Sequence, residues 1–204
     1  MRHLKSVFEN EQELLKALIA IHLDGKPIHA DPMFFKGNFY KDGVERPEFC
    51  SDINPQVEGV IQDDAEFSRL GYGEMRSVII DPPFMVANHG KQDQFYSSQT
   101  HTFYKSFADL EQSYFNLIKD ACRYLMPNGV MIFKCQDFTD AKTTFTHCLV
   151  KEIAERWGFY PKDLAILVKP NKVTNPNTKQ RHLRKIHTYF WVFVKKGDFN
   201  SLNY

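Results

Sequence analysis

Apolar residues recur along the chain with a spacing that alternates between a helical and an extended period. Three segments have the helical period, and they cover residues 10–22, 106–125 and 140–157. Seven shorter apolar runs are typical of strands, and they cover residues 28–30, 48–53, 57–62, 77–80, 130–133, 164–168 and 189–194. Strands interspersed with helices in this way predict an α/β sheet.

The starts of the helices carry local signals. Asn10, with Glu13 three residues later, forms a capping-box-like start to the first helix, and Ser106 opens the second. In the third helix the spacing places Phe145, Cys148, Leu149 and Ile153 on the apolar side. We therefore expect these side chains to be buried.

The order of the predicted strands indicates how the sheet is connected. The first five strands are linked by crossovers, whereas the last two are joined by a polar loop without room for a helix and should pair antiparallel. We expect an α/β, Rossmann-like sheet of about seven strands, the last antiparallel, with helices on both faces. We expect one domain over residues 1–204, with an N-terminal helical segment at 1–27 and a core at 28–197. In open sheets of this kind ligands bind beyond the carboxyl ends of the strands.

The composition excludes several classes of protein. Hydrophobic residues make up 43% of the chain and aromatic residues 14%, which excludes a disordered protein. Lys and Arg number 26 against 25 Asp and Glu, so any affinity for a polyanion must come from local clusters of charge. No run approaches the ~18 apolar residues of a membrane span, and neither secretion nor membrane insertion is indicated.

The cysteines and histidines do not suggest a metal or disulfide site. Four cysteines occur, far apart and without CxxC spacing: Cys50, Cys122, Cys135 and Cys148. We interpret them as reduced core residues of a cytoplasmic protein. Because no cysteine lies near His182 or His187 in the sequence, no zinc site is predicted.

The most informative segment is the apolar strand that runs into Asp81-Pro82-Pro83-Phe84. An exocyclic amine on a base is a weak nucleophile because its lone pair is delocalised into the ring. A carboxylate and a backbone carbonyl that accept its N–H groups would stabilise the positive charge that develops on the nitrogen. Asp81 and the Pro82 carbonyl suit these roles, the prolines hold the carbonyl outward, and Phe84 offers a face for base stacking. The alternative is that the prolines only terminate a strand.

The tetrapeptide resembles the (D/N)-P-P-(Y/F/W) motif of class I S-adenosylmethionine (SAM)-dependent amino-methyltransferases, which methylate adenine, cytosine or glutamine amide nitrogen. The chain is also similar to phage and bacterial DNA adenine methyltransferase-like proteins. The resemblance spans roughly residues 28–195. It implies a class I methyltransferase sheet, SAM as the cofactor, and a catalytic function for Asp81, Pro82, Pro83 and Phe84.

The same resemblance implies which residues bind the cofactor. In the family the first three strands end in acids, the first with a glycine-containing turn. The matching positions of this chain are Asp31, Pro32 and Gly37, then Asp52 and Ile53, then Asp63 or Asp64. The first turn departs from the family pattern, because it lacks Gly-x-Gly and its single glycine comes late. A function as turn residues or helix caps is the alternative for these acids.

Two polar segments are candidates for contact with a substrate. Residues 85–105 follow the tetrapeptide and have no clear hydrophobic period. A loop this long suggests a lid, with His89, Lys91 and Lys105 as substrate contacts. The alternative is an insertion without a function. The loop at 169–185 contains Lys172, Arg181 and Arg184, and no acid occurs between Asp163 and Asp198. Such a basic loop is typical of a surface that contacts phosphates, although a solvated loop is the alternative.

These observations predict methyl transfer from SAM to the exocyclic amino group of adenine in nucleic acid, with DNA slightly preferred over RNA. Two alternatives stay open. One is methylation of a glutamine amide on a protein, for which the same tetrapeptide would serve. The other is a non-catalytic methyltransferase-like module that binds nucleic acid or a partner subunit, which the glycine-poor first turn suggests.

Overall fold

The computed structural model describes residues 5–86, 103–139, 143–169, 182–183 and 185–197. Its strands are β1 (Val7–Phe8), β2 (Ala30–Asp31), β3 (Phe49–Asp52), β4 (Ile61–Gln62), β5 (Met75–Ile80), β6 (Met85–Val86), β7 (Phe103–Tyr104), β8 (Leu125–Cys135), β9 (Phe138–Thr139), β10 (Thr143–Thr144), β11 (Phe159–Val168) and β12 (His187–Lys195). Its helices are α1 (Glu11–His22), α2 (Phe107–Tyr124) and α3 (Thr146–Arg156), with a short 3-10 helix at Ala65–Phe67.

Eight of the described strands form one mixed sheet in the order β1-β11-β12-β8-β5-β2-β3-β4. The five strands from β8 to β4 are parallel, and β12 is antiparallel to both of its neighbours, β8 and β11. The predicted antiparallel hairpin beside the fifth strand is therefore confirmed. The strand of this sheet that the sequence did not predict is β1, which pairs with β11 and is only two residues long.

Helices cover both faces of this sheet, as predicted. Successive side chains of β5 point to opposite faces, so Val78 and Ile80 lie in one apolar cluster and Ile79 in the other. On the first face the sheet packs against α2 and α3; on the second it packs against Leu14, Leu15 and Leu18 of α1. The N-terminal helix thus contributes to the same core as the central strands.

The helix starts were predicted with mixed success. Asn10 and Ser106 cap α1 and α2, accepting hydrogen bonds from the N–H groups of Glu13 and Asp109. The predicted start of the third helix at residue 140 is wrong, because β9 and β10 pair antiparallel and their β-branched threonines favour extended backbone. The predicted apolar face of that helix is confirmed for Leu149 and Ile153, which pack in the core, and wrong for Phe145 and Cys148. Phe145 is 56% exposed and Cys148 is exposed, while Thr146, Val150, Ile153 and Ala154 are buried.

The connections on the β4 side of the sheet differ from the prediction. Within the described residues, loops without an α-helix join β2 to β3 and β3 to β4, whereas α1, α2 and α3 follow strands β1, β5 and β8 of the mixed sheet. No helix within the described residues is long and apolar enough to cross a membrane.

Candidate active site

The carboxyl ends of the parallel strands meet around a cleft of about 190 Å³ at one edge of the sheet. Five residues predicted to form the site line it: Pro32, Asp52, Ile53, Asp64 and Pro83. Met33, the 3-10 helix, Tyr104 of β7 and two residues of α2 complete the lining. The structure therefore brings the turns after β2, β3, β4 and β5 to one place.

Asp31 ends β2 with a carboxylate that is almost inaccessible to solvent. One oxygen accepts a hydrogen bond from the Met33 N–H at 2.9 Å, and the other accepts one from the Tyr40 hydroxyl at 2.7 Å. Burial raises the pKa of Asp31 to about 7, and the two hydrogen bonds only partly oppose this effect. No cation among the described residues forms an ion pair with Asp31, so this carboxyl titrates near neutral pH.

The turn after β2 shows why its glycine comes late. Gly37 has a φ of +65°, and a Cβ at this position would lie 2.6 Å from the ring of Phe34. Gly37 is therefore required for the turn itself, and it does not line the cleft. Phe34 stacks on Tyr40 with ring centroids 5.3 Å apart, which places the tyrosine hydroxyl against Asp31.

The acids after β3 and β4 differ in their surroundings. Asp52 binds the N–H groups of Phe35 and Asn54, both at 2.8 Å, and so joins the turn after β2 to the end of β3. The Asp63 carboxylate accepts hydrogen bonds from Arg69 Nε, at 2.9 Å, and from the Ser68 hydroxyl.

Of the two candidates after β4, Asp64 lines the cleft and Asp63 does not. Asp64 also caps the 3-10 helix through the N–H of Glu66, at 2.9 Å. Burial alone would raise the pKa of Asp63, but the hydrogen bonds and the charge of Arg69 outweigh burial and lower that pKa.

Asp81 lies at the carboxyl end of β5 and forms an ion pair with a buried lysine. The Nζ atom of Lys134, on the neighbouring strand β8, is 2.9 Å from Asp81 Oδ2 and 3.0 Å from Glu11 Oε1. Burial raises the pKa of Asp81, and the charge of Lys134 opposes this rise. Burial alone would lower the pKa of Lys134, but the two carboxylates outweigh it and raise that pKa above its ordinary value.

Sequence reasoning missed Lys134 and Glu11. Lys134 packs its ammonium over the rings of Phe39 and Phe190, with 4.8 and 5.6 Å to the centroids, in a site that is apolar apart from the two acids. A lysine inside the apolar run of β8 was the available signal, because lysine is rarely fully buried without a partner.

The rest of the tetrapeptide is fixed by α2. The Tyr114 hydroxyl donates a hydrogen bond to the Pro83 carbonyl at 3.1 Å, and Tyr114 is completely buried. Phe84 is half-buried, and the chain then enters β6, which pairs with β7. Tyr104 of β7 donates to or accepts from the Ser113 hydroxyl at 3.0 Å, which ties β7 to α2.

Most of the predicted substrate contacts lie outside the described residues: His89, Lys91, Lys172, Arg181 and Arg184. Lys105 is described and exposed directly after β7. Lys169, at the start of the basic loop, has its Nζ 4.0 Å from Glu11 Oε1. Among the described residues no group of three or more His, Cys, Asp or Glu could hold a metal ion.

A comparison with protein families gives one match. The family model described as DNA methylase matches residues 75–204, which is more than half of the chain. The match includes Asp81, Lys134 and the basic loop, whereas Asp31, Asp52 and Asp64 precede it. A search of curated proteins found no match.

Solved structures of SAM-dependent methyltransferases have the same fold. The 1,6-didemethyltoxoflavin-N1-methyltransferase of Burkholderia thailandensis, with S-adenosylhomocysteine bound, has a TM-score of 0.58 and 13% identity over 92% of this chain and 79% of its own. A SAM-dependent methyltransferase of Archaeoglobus fulgidus has a TM-score of 0.50 and 17% identity over 92% and 96%.

A structure assigned as a DNA modification methylase is also similar. TTHA0409 of Thermus thermophilus, solved with SAM, has a TM-score of 0.46 and 16% identity over 68% of this chain. The match covers 56% of TTHA0409, so this chain spans about half the length of that protein.

Proposed function

Because the chain belongs to the DNA methylase family, we propose that it transfers a methyl group from SAM to the exocyclic amino group of adenine in DNA. SAM is the methyl donor of this family, so the predicted cofactor is confirmed. The observation that carries the proposal is the position of Asp81, ion-paired to Lys134 and next to the cleft formed by the turns after β2, β3 and β4. The choice of adenine over cytosine rests on the similarity to phage and bacterial DNA adenine methyltransferase-like proteins, because the tetrapeptide itself serves both bases.

The cleft residues fit the chemistry of SAM. Asp52 and Asp64 supply carboxylate acceptors for hydroxyl and amino groups, and Ile53, at 59% exposed, supplies an apolar surface for a purine ring. Asp31 supplies negative charge close to the cleft, where a cationic ligand would compensate it. SAM, when bound, supplies an electrophilic methyl group on a positively charged sulfur.

The residues around Asp81 suit an amine that becomes positively charged. Asp81 Oδ2 contacts Lys134, which leaves Oδ1 to accept one N–H of the substrate amine, and the Pro82 carbonyl accepts the other. Asp81, Glu11 and Lys134 together carry one net negative charge when all are ionised. Because they are fixed and largely buried, they stabilise positive charge on the nitrogen without reorganising.

Lys134 acts through Asp81 rather than on the substrate. Its ammonium fixes the carboxylate at one oxygen, and it opposes the effect of burial, which raises the pKa of Asp81 and favours protonation. A protonated Asp81 would be a weaker acceptor, so the ion pair keeps the acid in its active form. Phe84 supplies the ring on which an extruded base stacks.

The nucleic-acid surface is assigned to the loop between β11 and β12. Lys169 begins this loop near Glu11, so the loop starts at the same edge of the sheet as Asp81. Replacing Lys172, Arg181 and Arg184 together by Ala should weaken DNA binding and lower the salt slope by about one unit for each lost phosphate contact. An unchanged slope would assign the loop to the solvated surface.

Mass spectrometry of nucleosides tests the proposal directly. DNA is incubated with the protein and SAM that carries a deuterated methyl group, then digested, and parallel reactions contain RNA or a glutamine-containing protein. We expect label in N6-methyladenine from DNA. Label found only in N4-methylcytosine, only in RNA or only in the protein would replace adenine in DNA as the proposed substrate. No label, together with no heat of SAM binding in calorimetry, would support the non-catalytic module instead.

A further inference from the structure

A cysteine, a histidine and an aspartate lie in contact just beyond the carboxyl end of β8. Asp137 follows β8, and its side chain is only 2% exposed. Its two oxygens lie 2.8 and 2.9 Å from His147 Nδ1, and the backbone N–H of His147 also donates to it at 3.3 Å. Asp137 therefore holds the proton of the imidazole on Nδ1, which leaves the lone pair on Nε2.

The free side of the imidazole faces a thiol. Cys148 Sγ lies 3.4 Å from His147 Nε2, within hydrogen-bond range for sulfur. The ring is held by stacking on Tyr189, with centroids 4.3 Å apart and planes at 25°, and the Trp191 indole N–H donates to the His147 carbonyl. A thiol, a base beside it and an acid that orients the base are the arrangement of an activated nucleophile.

Cys148 differs from the other cysteines in accessibility. It is exposed, whereas Cys50, Cys122 and Cys135 are buried. It is also the third residue of α3 and so lies in the first turn of that helix. An accessible thiol is therefore combined with the means to remove its proton.

We propose that Asp137, His147 and Cys148 form a reactive-thiol site at which Cys148 forms a mixed disulfide with a low-molecular-weight disulfide. His147 Nε2 accepts the thiol proton, and the sulfur of Cys148 attacks one sulfur of the incoming disulfide. One S–S bond forms and one breaks, and the departing thiolate takes the proton back from His147. The low-molecular-weight disulfide is the oxidant: Cys148 is oxidised, and the departing sulfur is reduced to a thiol. The proposal does not depend on methyltransferase activity.

The test measures the rate at which Cys148 reacts with 4,4′-dithiodipyridine, a neutral disulfide, in the full chain at neutral pH. Peptide mapping by mass spectrometry follows Cys148 separately from the other cysteines, and the same residue in urea-unfolded protein is the reference. A free thiol is only a few per cent ionised at this pH, so we expect Cys148 to react about tenfold faster in the folded protein. The folded protein should acquire a single adduct.

Variants separate activation from simple exposure. His147→Gln should lower the rate about tenfold, to that of the unfolded chain, and Asp137→Asn should lower it in the same direction by releasing the imidazole. The matched control is His187→Gln, because His187 contacts the Tyr189 hydroxyl at 2.9 Å and not the thiol. This variant should react like the wild type.

Two results would overturn the proposal. The first is a folded protein in which Cys148 reacts no faster than in the unfolded chain. The second is a His147→Gln variant with an unchanged rate. Both are independent of Asp137→Asn, whose buried side chain makes it the variant most prone to unfold.

Discussion

Two strand-end aspartates lie side by side in this protein, and their surroundings differ in one respect. Asp31 ends β2 and Asp81 follows β5, and these strands are paired parallel neighbours with Ala30 opposite Val78. Burial raises the pKa of both carboxyls. Asp81 has a buried cation, Lys134, whereas the partners of Asp31 within the described chain are the neutral Tyr40 hydroxyl and a backbone N–H.

The comparison shows how two aspartates at the same edge of a sheet can be suited to different functions. A carboxylate with its own cation is kept charged before any ligand arrives, which suits a group that must accept N–H bonds at once. A buried carboxylate without a cation is unstable as an anion until a positively charged ligand binds. Under the proposed function, this difference suits Asp81 to act on the substrate amine and Asp31 to respond to the cofactor.

The largest expected effect comes from Asp81→Ala. If Asp81 stabilises charge that is present only in the transition state, turnover should fall by roughly 100-fold or more while SAM affinity changes little. Methyl-transfer kinetics measure the first quantity and calorimetry the second. Asp81→Asn is the matched variant, because it keeps the shape and removes the charge. Near wild-type methylation by the alanine variant would remove Asp81 from the chemistry.

Removal of the cation should make Asp81 resemble Asp31. In Lys134→Met the carboxyls of Asp81 and Glu11 lose their counter-ion, so the pKa of Asp81 should rise further and turnover at neutral pH should fall about 10- to 100-fold. Activity should recover partly as the pH rises, which a purely structural role would not cause. A pH–rate profile measures this.

Lys195→Met is the control for Lys134→Met. Lys195 is also a buried lysine of the sheet, but its Nζ donates to the Leu125 carbonyl instead of a carboxylate at the site. Its loss should affect stability and leave the pH profile of turnover unchanged. If both variants change the profile equally, Lys134 does not act through Asp81.

The sequence predicted one half of this comparison better than the other. The position of Asp81 could be predicted because an apolar strand, an acid and two prolines are adjacent in the chain, and Asp31 likewise directly follows a predicted strand. The Lys134 contact could not, because it joins residues 53 apart and depends on β8 lying next to β5. Glu11 belongs to a helix whose position over the sheet is set by apolar packing, which local patterns do not describe.

The third prediction concerns the pH dependence of cofactor binding. SAM carries net positive charge and should bind best when Asp31 is ionised, so affinity should rise with pH through the pKa of about 7. From pH 6 to pH 7.5 the ionised fraction of a group with this pKa rises about eightfold, and the SAM affinity should rise by the same factor. Calorimetry at several pH values measures it. Asp31→Asn should remove the dependence, and a wild-type affinity that is flat over this range would contradict the assignment.

The smallest effect is on the stability of the cofactor-free protein, and its sign follows from the same pKa. The folded-state pKa of Asp31, about 7, lies above its ordinary value of 3.8, so between these pH values the folded protein binds more protons than the unfolded chain. The contribution of Asp31 to stability is therefore fully present below pH 4 and is lost as the pH rises to 7.

Asp31→Asn keeps the contacts with Tyr40 and Met33 if the tyrosine hydroxyl rotates to accept a hydrogen bond, and it cannot ionise. At pH 8 this variant should be more stable than the wild type, and the difference between a pKa of about 7 and one of 3.8, at ~1.4 kcal/mol per pKa unit, sets an upper bound of about 4 kcal/mol. We expect at least about 1 kcal/mol of this, a rise of roughly 2–4 °C or more in the melting temperature, and the difference should vanish at pH 4. Thermal unfolding without SAM measures both values, and saturating SAM should reduce the advantage because the wild type alone gains from its charged Asp31. A variant that is less stable than the wild type at both pH values would show that the Asp31 hydrogen bonds outweigh the cost of its buried charge.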